Sequence, residues 1–290
     1  MQYHVDGDLV AADDATVSVL DRGFMYGDAA FETLRVYGGA PFEWDAHRER
    51  LRHSAEALGF ADAVPDDLRE RVTETLDAND LDEAYCKVSV SRGVQPGKLT
   101  PGPAVDPTVV VVVKPLPRGG RDGERVWDGP ATVQTVRTKR VPDVAVPADV
   151  KSHNYLNGIL GRLELRKSAG GGDPADECIL RDIDGNVAEG ATSNVFFVSD
   201  QGLRTPSTEL DLLPGITRDI VLDLAREEGF PVETGAYSLD ALRNADEAFL
   251  TNSTWEIRPI ETVDGIDVGA GPMTKLLQRL YDDRVEAAHY

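Results

Sequence analysis

Cysteine is nearly absent from this 290-residue chain, and lysine is scarce. The two cysteines, Cys86 and Cys178, are too few for a disulfide framework and lie in no metal-ligand spacing. They read as small apolar residues of a reducing compartment, and no metal is expected. No window reaches the ~18 uninterrupted apolar residues that a membrane helix requires, and the opening MQYHVDGDLV has no basic stretch followed by an apolar one. A soluble cytoplasmic protein, away from membranes, is the expectation. Basic residues are also in deficit, 30 against 51 acidic, for a net charge of −21. Nucleic acid is not an expected partner, because a phosphate backbone needs a basic face. The acid is spread along the chain (Asp13-Asp14, Asp66-Asp67, Asp282-Asp283) and does not form a disordered tail. Abundant Asp and Glu with few lysines resembles proteins of salt-loving organisms, in which concentrated salt screens the self-repulsion.

What is present can bury a core. The chain is 41% apolar, enough for one large or two medium domains. Residues 2–10 alternate about Asp6-Gly7 and predict a hairpin. Residues 16–20 predict another short strand, and the first half of 21–39, rich in Gly, Asp and aromatics, reads as a functional loop. Alternation predicts strands over 31–37 and 85–91, and the β-branched run 108–114 has the pattern of a strand buried on both faces. A 3.6-residue period predicts helices over 44–58 and 65–79. The PLPRGGRD stretch is the linker candidate, dividing the chain into domains 1–115 and 123–290 with 116–122 between. Beyond it come a strand over 131–137 and a helix with Leu156, Ile159, Leu160, Leu163 and Leu165 as its apolar positions. A hairpin over 177–198 turns at Asp184-Gly185, and a helix follows Leu213-Pro214-Gly215-Ile216-Thr217. A short helix over 238–243, a strand over 247–250 and a helical tail over 272–287 complete the pattern. Gly170-Gly171-Gly172 lies outside any strand–GxGxxG–helix setting and has no nucleotide role.

Four segments carry chemistry. The chain has seven lysines against twenty-three arginines, so a lysine kept in the irregular stretch Val146–Leu156 invites a chemical reason. A desolvated lysine can lose its proton and attack a carbonyl, which arginine cannot do. That lysine is Lys151, and a surface lysine near a helix start is the plain alternative. Glu189 ends a hairpin strand in Val187-Ala188-Glu189-Gly190-Ala191-Thr192-Ser193-Asn194. The Pro-Gly-Ile-Thr turn opens a helix, whose unpaired N–H groups and dipole suit a phosphate. Ser253-Thr254 is a hydroxyl-rich strand end. A lysine, a carboxylate and a phosphate cradle are the parts that pyridoxal phosphate requires.

In this order, from about Tyr3 to Pro259, these segments resemble the class IV aminotransferases, the fold-type IV pyridoxal-phosphate enzymes. That family includes branched-chain aminotransferases, D-amino acid aminotransferases and 4-amino-4-deoxychorismate lyases. The resemblance implies that Lys151 is the Schiff-base lysine and proton carrier, and that Glu189 partners the pyridine nitrogen. It implies phosphate contacts from Arg50 in HRERL, from Ile216 and Thr217 in LPGITRD, and from Ser253 and Thr254. Taken singly, Arg50 also fits a solvated helix arginine, Glu189 a strand-end charge and Thr217 a helix cap. The implied α/β (α+β) fold has a small N-terminal α/β domain and a larger C-terminal domain with a barrel-like sheet. A homodimer is implied too, with loops of one subunit closing the other's site.

Several features separate the branches. Branched-chain enzymes typically read FEGIR where this chain reads Phe31-Glu32-Thr33-Leu34-Arg35, and they carry one more residue between the lysine and the NY pair. The D-amino acid branch usually has an Arg-x-His clamp, and the stretch Ser91-Arg92-Gly93-Val94-Gln95-Pro96-Gly97-Lys98 lacks it. Thr33 matches the substrate-facing threonine of the lyase branch. Arg92, Lys98 and Arg258 are candidates to meet two substrate carboxylates. For Arg92 and Arg258 the alternative is that they bridge acidic neighbours. Tyr26, Phe31, Arg35 and Tyr155 are further substrate-contact candidates, with core packing the alternative for the aromatics. The expected reaction on this small amino substrate is release of pyruvate from aminodeoxychorismate to leave 4-aminobenzoate. The second reading is transamination of a branched-chain or D-amino acid with 2-oxoglutarate.

Overall fold

The computed structural model describes residues 1–121 and 123–290; Asp122, the end of the expected linker, lies outside the described residues. The chain groups into two compact units. The first comprises Met1–Arg118, Val150–Asn154 and His289–Tyr290; the second comprises Gly119–Asp149 and Tyr155–Ala288. The segment bearing Lys151 thus groups with the first unit. No helix among the described residues is long and apolar enough to cross a membrane.

The first unit holds β1 (Gln2–Val5), β2 (Asp8–Ala11), α1 (Arg22–Tyr26), β3 (Ala29–Tyr37), β4 (Ala40–Pro41), α2 (Trp44–Ala57), α3 (Leu68–Asp77), β5 (Ala84–Ser91) and β6 (Val109–Pro115). Its six strands form one antiparallel sheet in the order β2-β1-β6-β5-β3-β4. Asp6 (φ 51°) and Gly7 (φ 107°) make the β1–β2 turn, and both lie in the left-handed region that such tight turns require. Leu51 and Ala55 of α2 and Leu68, Val72 and Leu76 of α3 join Leu34, Val36, Cys86, Val88 and Val111 in the core on one face of the sheet. The β6 strand is not buried on both faces. Val109, Val111 and Val113 are buried, whereas Val110 and Val112 are half-buried, because the helices cover one side of the sheet.

Residues 16–20 form no strand; no neighbouring strand pairs with them, and Val17, Val19 and Leu20 are exposed. The expected loop after them holds a short helix, α1. The Asp21 side chain accepts from the Phe24 N–H, and Gly27 (φ 71°) ends the helix.

The second unit holds β7 (Ala131–Lys139), α4 (Leu156–Ser168), β8 (Glu177–Arg181), β9 (Val187–Gly190), β10 (Asn194–Ser199), β11 (Gly202–Pro206), α5 (Ile216–Glu227) and β12 (Val232–Gly235). Next come α6 (Leu239–Arg243), β13 (Glu247–Asn252), β14 (Glu256–Val263), β15 (Ile266–Asp267) and α7 (Pro272–His289). The strands run β12-β11-β10-β13-β14-β7-β8-β9, with β15 paired to β14. The sheet curls into an open half-barrel. The Val187 N–H of β9, at one end of the strand order, donates to the Tyr237 carbonyl just beyond β12, at the other (2.8 Å).

The expected 177–198 hairpin is broken into three strands, because residues 191–193 turn the chain around Glu177. That carboxylate accepts from the Thr192 N–H (3.2 Å) and from both hydroxyls of Thr192 and Ser193. Of the apolar positions of α4, Leu156, Ile159, Leu160 and Leu163 are exposed and only Leu165 is buried. The inner face is made instead by Gly158, Gly161 and Leu165. A Cβ on Gly161 would lie 2.9 Å from the Cys178 sulfur, so the helix backbone rests directly on the sheet.

Candidate active site

Residues 151–153 run beside the start of β3. The Phe31 N–H donates to the Lys151 carbonyl (3.0 Å), and the His153 N–H donates to the Ala29 carbonyl (2.9 Å). The Lys151 N–H donates to Ser54 Oγ on α2 (3.0 Å). These bonds fix the lysine's backbone from two sides. Its side chain lies against Phe31, with Nζ 4.7 Å from the ring centroid.

Successive residues of β3 face opposite sides of the sheet. Glu32 faces the helices. It accepts two bonds from Arg50 (2.7 Å each) and lies 2.7 Å from His47 Nδ1. Burial alone would push this carboxyl up, but the charge and hydrogen bonds of Arg50, with those of His47, hold it at about 2. Burial pushes the His47 imidazole down despite Glu32, and the charges of Arg50 and Lys151 add to that. Arg50 is therefore oriented by a buried carboxylate on the strand next to Phe31.

Phe31 and Thr33 face the other side. Thr33 pairs directly with Lys87 of β5, and Phe31 with Ser89. The Lys87 Nζ lies 4.6 Å from the centroid of the same Phe31 ring that Lys151 approaches. Burial first, and then the charge of Lys151, hold the Lys87 pKa below the ordinary lysine value. The His153 ring meets Phe31 edge-on at 5.5 Å, and its Nε2 lies 3.2 Å from Ser89 Oγ. Burial, reinforced by Lys87, pushes this imidazole down to about 4. Lys87, His153 and Glu32 were missed in the sequence reading. For Lys87 a signal existed, since it is one of only seven lysines.

In the second unit, Glu189 is the last residue but one of β9 and is 8% exposed. It accepts from Arg140 Nε (2.5 Å) and from the Leu213 N–H (3.1 Å). Asn194, at the start of β10, donates to the Leu213 carbonyl (3.0 Å). Glu189 and Asn194 thus hold the turn that leads into α5. The cap residue Gly215 offers no side chain to the first-turn N–H groups; Thr217 is buried and Ile216 half-buried. Ser253 and Thr254 lie in the turn between β13 and β14. Asn252 shapes that turn, accepting from the Thr254 N–H (3.0 Å) and donating to the Thr192 carbonyl (3.2 Å). Asn194 pairs with Thr251 across β10 and β13, which brings the two turns to one end of these strands.

The substrate-contact candidates are divided between the two units. Arg92 is buried against Asp28 (Nε 2.8 Å) and also donates to the Leu58 carbonyl. Arg258 is held by Asp176 (2.8 Å) and the Gly129 carbonyl (3.1 Å). Both guanidinium groups are thus engaged with acidic neighbours. Arg35 is 2% exposed and donates to the Pro117 carbonyl. Lys98 is exposed, and its carbonyl accepts from Arg22 (2.7 Å). Tyr26 is 40% exposed, with the Arg22 guanidinium 5.0 Å from its ring centroid. Tyr155 is half-buried at the start of α4.

Pyridoxal phosphate fits the donor set of the second unit. A nearly buried carboxylate, Glu189, stands beside a helix start that has no side-chain cap. A Cβ on Gly215 would lie 2.0 Å from Asn194 Oδ1, so only glycine allows this backbone approach. The buried Thr251 hydroxyl beside it has no hydrogen-bond partner among the described residues.

The sequence model of the Amino-transferase class IV family matches residues 29–263. A putative branched-chain-amino-acid aminotransferase of Methanocaldococcus jannaschii is 37% identical, over 98% of this chain and 96% of its own length. The aminodeoxychorismate lyase of Bacillus subtilis is 32% identical, over 98% and 94%. A branched-chain amino acid aminotransferase of T.th., solved with pyridoxamine 5′-phosphate, superposes with a TM-score of 0.87 at 29% identity, covering 100% of this chain and 95% of that one. The chain belongs to the class IV aminotransferases, pyridoxal-phosphate enzymes of fold type IV.

Proposed function

We propose that this enzyme is a 4-amino-4-deoxychorismate lyase, releasing pyruvate from its substrate and leaving 4-aminobenzoate. We place it in the cytoplasm as a homodimer. The observation that carries the reading is the side of the first unit's sheet on which Phe31 lies. Around that ring stand Thr33, Lys87, Ser89 and His153, with the Lys151 amine. A polar, cationic lining suits a polar substrate bearing carboxylates better than a bare aliphatic side chain.

In this reading Lys151 anchors the cofactor, and its Nζ takes and returns the proton. Bound pyridoxal phosphate supplies the electron-withdrawing ring. Glu189, fixed by Arg140 and the Leu213 N–H, would partner the ring nitrogen. Arg50, the Ile216 N–H and the hydroxyls of Thr217, Ser253 and Thr254 are the residues that would hold the phosphate. Lys87 meets a substrate carboxylate. Thr33, facing the same side, hydrogen-bonds the reacting substrate.

The test is Thr33→Val, which keeps size and removes the hydroxyl. Aminobenzoate formation should fall by about 10²-fold with cofactor binding retained. Undiminished lyase activity in this variant would remove the hydroxyl from the mechanism. A second reading, transamination of apolar amino acids, is favoured by the branched-chain relatives and by Phe31 at the centre of the lining.

A further inference from the structure

We propose that Arg125 is a positioning residue for the cofactor phosphate: acting through Glu256, it holds in place the turn that carries Ser253 and Thr254. This rests on the reading of those two hydroxyls as phosphate contacts and adds what fixes them. The turn is tight. Asn252 of β13 pairs with Glu256 of β14, so only Ser253, Thr254 and Trp255 lie between. A hairpin loop of this length ends on a residue in the left-handed region, a place that favours glycine. Here that residue is Glu256, with φ 60°. A side chain disfavours this conformation, so a glutamate there needs to be held from outside the hairpin.

The holder is a strap, residues 125–129, which forms neither helix nor strand. Arg125 pairs with the Glu256 carboxylate, which is 1% exposed, and donates to both oxygens of Asp282 on α7 (2.9 and 2.8 Å). Two further bonds join the strap to the same hairpin. Trp127 Nε1 donates to the Trp255 carbonyl (3.1 Å), and Arg258 of β14 donates to the Gly129 carbonyl (3.1 Å). At the other end of the turn, Asn252 Oδ1 accepts from the Thr254 and Trp255 N–H groups (3.0 and 2.7 Å). The turn is thus clamped from two sides, by Asn252 within the hairpin and by the strap outside it. A carboxylate this deeply buried keeps its charge only while paired. Without Arg125, Glu256 moves toward water and the turn moves with it. Arg125 and Trp127 act through the backbone of residues 253–256, not on the cofactor itself.

The test is phosphate selectivity, the ratio of the Kd values of pyridoxal and pyridoxal phosphate. Both are titrated by visible absorbance into the full chain stripped of cofactor, in concentrated KCl. Arg125→Gln should weaken pyridoxal phosphate by about 10-fold, the worth of one hydrogen bond, and leave pyridoxal unchanged. Trp127→Phe keeps an aromatic ring and loses the N–H. It should act in the same direction by about 3-fold, and it decides the matter if the arginine variant fails to fold. Equal weakening of both ligands would make the strap a support of the fold alone and overturn the proposal, as would no weakening of either. A double variant, Ser253→Ala with Thr254→Val, checks the underlying reading. If it keeps the wild-type selectivity, the phosphate role of the turn fails and the proposal fails with it. If it loses selectivity while both strap variants keep theirs, only the role of Arg125 is overturned.

Discussion

Two lysine amines approach one phenylalanine ring, and much of the proposed chemistry depends on that arrangement. Lys151 could be singled out from the sequence, because an arginine-rich chain keeps few lysines and this one stands in a recognisable motif. Lys87 was not, since AYCKVSVS reads as a strand with a lysine on its wet side. What Lys87 faces is set by its pairing with Thr33, some fifty residues away, which no local pattern encodes. Replacing Lys87 with Gln should raise the substrate KM by about 10- to 100-fold, the worth of one charge-assisted hydrogen bond, with a smaller effect on kcat. An unchanged KM would remove it from substrate binding. Lys151→Ala should lose the visible absorbance of lysine-linked cofactor; a full band in that variant would refute the anchor. Glu32→Gln leaves the Arg50 charge without its carboxylate and should cost about 3–5 kcal/mol in denaturant unfolding. Because the Glu32 carboxyl is held at about 2, below its ordinary 4.5, its stabilisation is complete above about pH 4.5 and is lost as pH falls toward 2. Wild-type and Glu32→Gln melting curves should therefore converge in acid.

At the scale of elements, periodicity located most helices and strands but not always the face they bury. For α4 it picked out the large apolar residues without saying which of them the sheet covers. The structure lays the small ones on the sheet, because Gly158 and Gly161 let the helix backbone reach it while the leucines point outward. Gly161→Val should cost about 1–3 kcal/mol by overpacking against Cys178 and Leu180, read as a lower urea midpoint. The short strands β4, β11, β12 and β15 escaped notice, since two to five residues show too little alternation to register. Residues 16–20 misled in the opposite sense: their apolar residues resemble a strand, but a ladder needs a neighbour. The local settings expected for Glu189 and for the Pro-Gly-Ile-Thr turn, a strand end and a helix start, were legible because both are short-range backbone patterns.

For the whole molecule, the excess of 51 acidic over 30 basic residues is the dominant long-range force. Much of the buried acid is matched, as where Arg125 bridges Glu256 and Asp282. The remaining surface charge repels itself unless salt screens it, over a Debye length of about 3 Å at 1 M and about 30 Å at 0.01 M. The melting temperature should accordingly rise from dilute to concentrated KCl; a flat dependence would contradict a salt-adapted fold. The family was readable from five motifs in order, whereas the substrate rests on which side chains share one face of a sheet. The most direct test supplies the purified enzyme, in concentrated KCl, with aminodeoxychorismate and in parallel with L- and D-amino acids plus 2-oxoglutarate. Stoichiometric release of pyruvate and 4-aminobenzoate with little transamination is the predicted result. Rapid transamination with no aminobenzoate would contradict it, leaving the cofactor residues in place and the reading of Thr33 and Lys87 wrong.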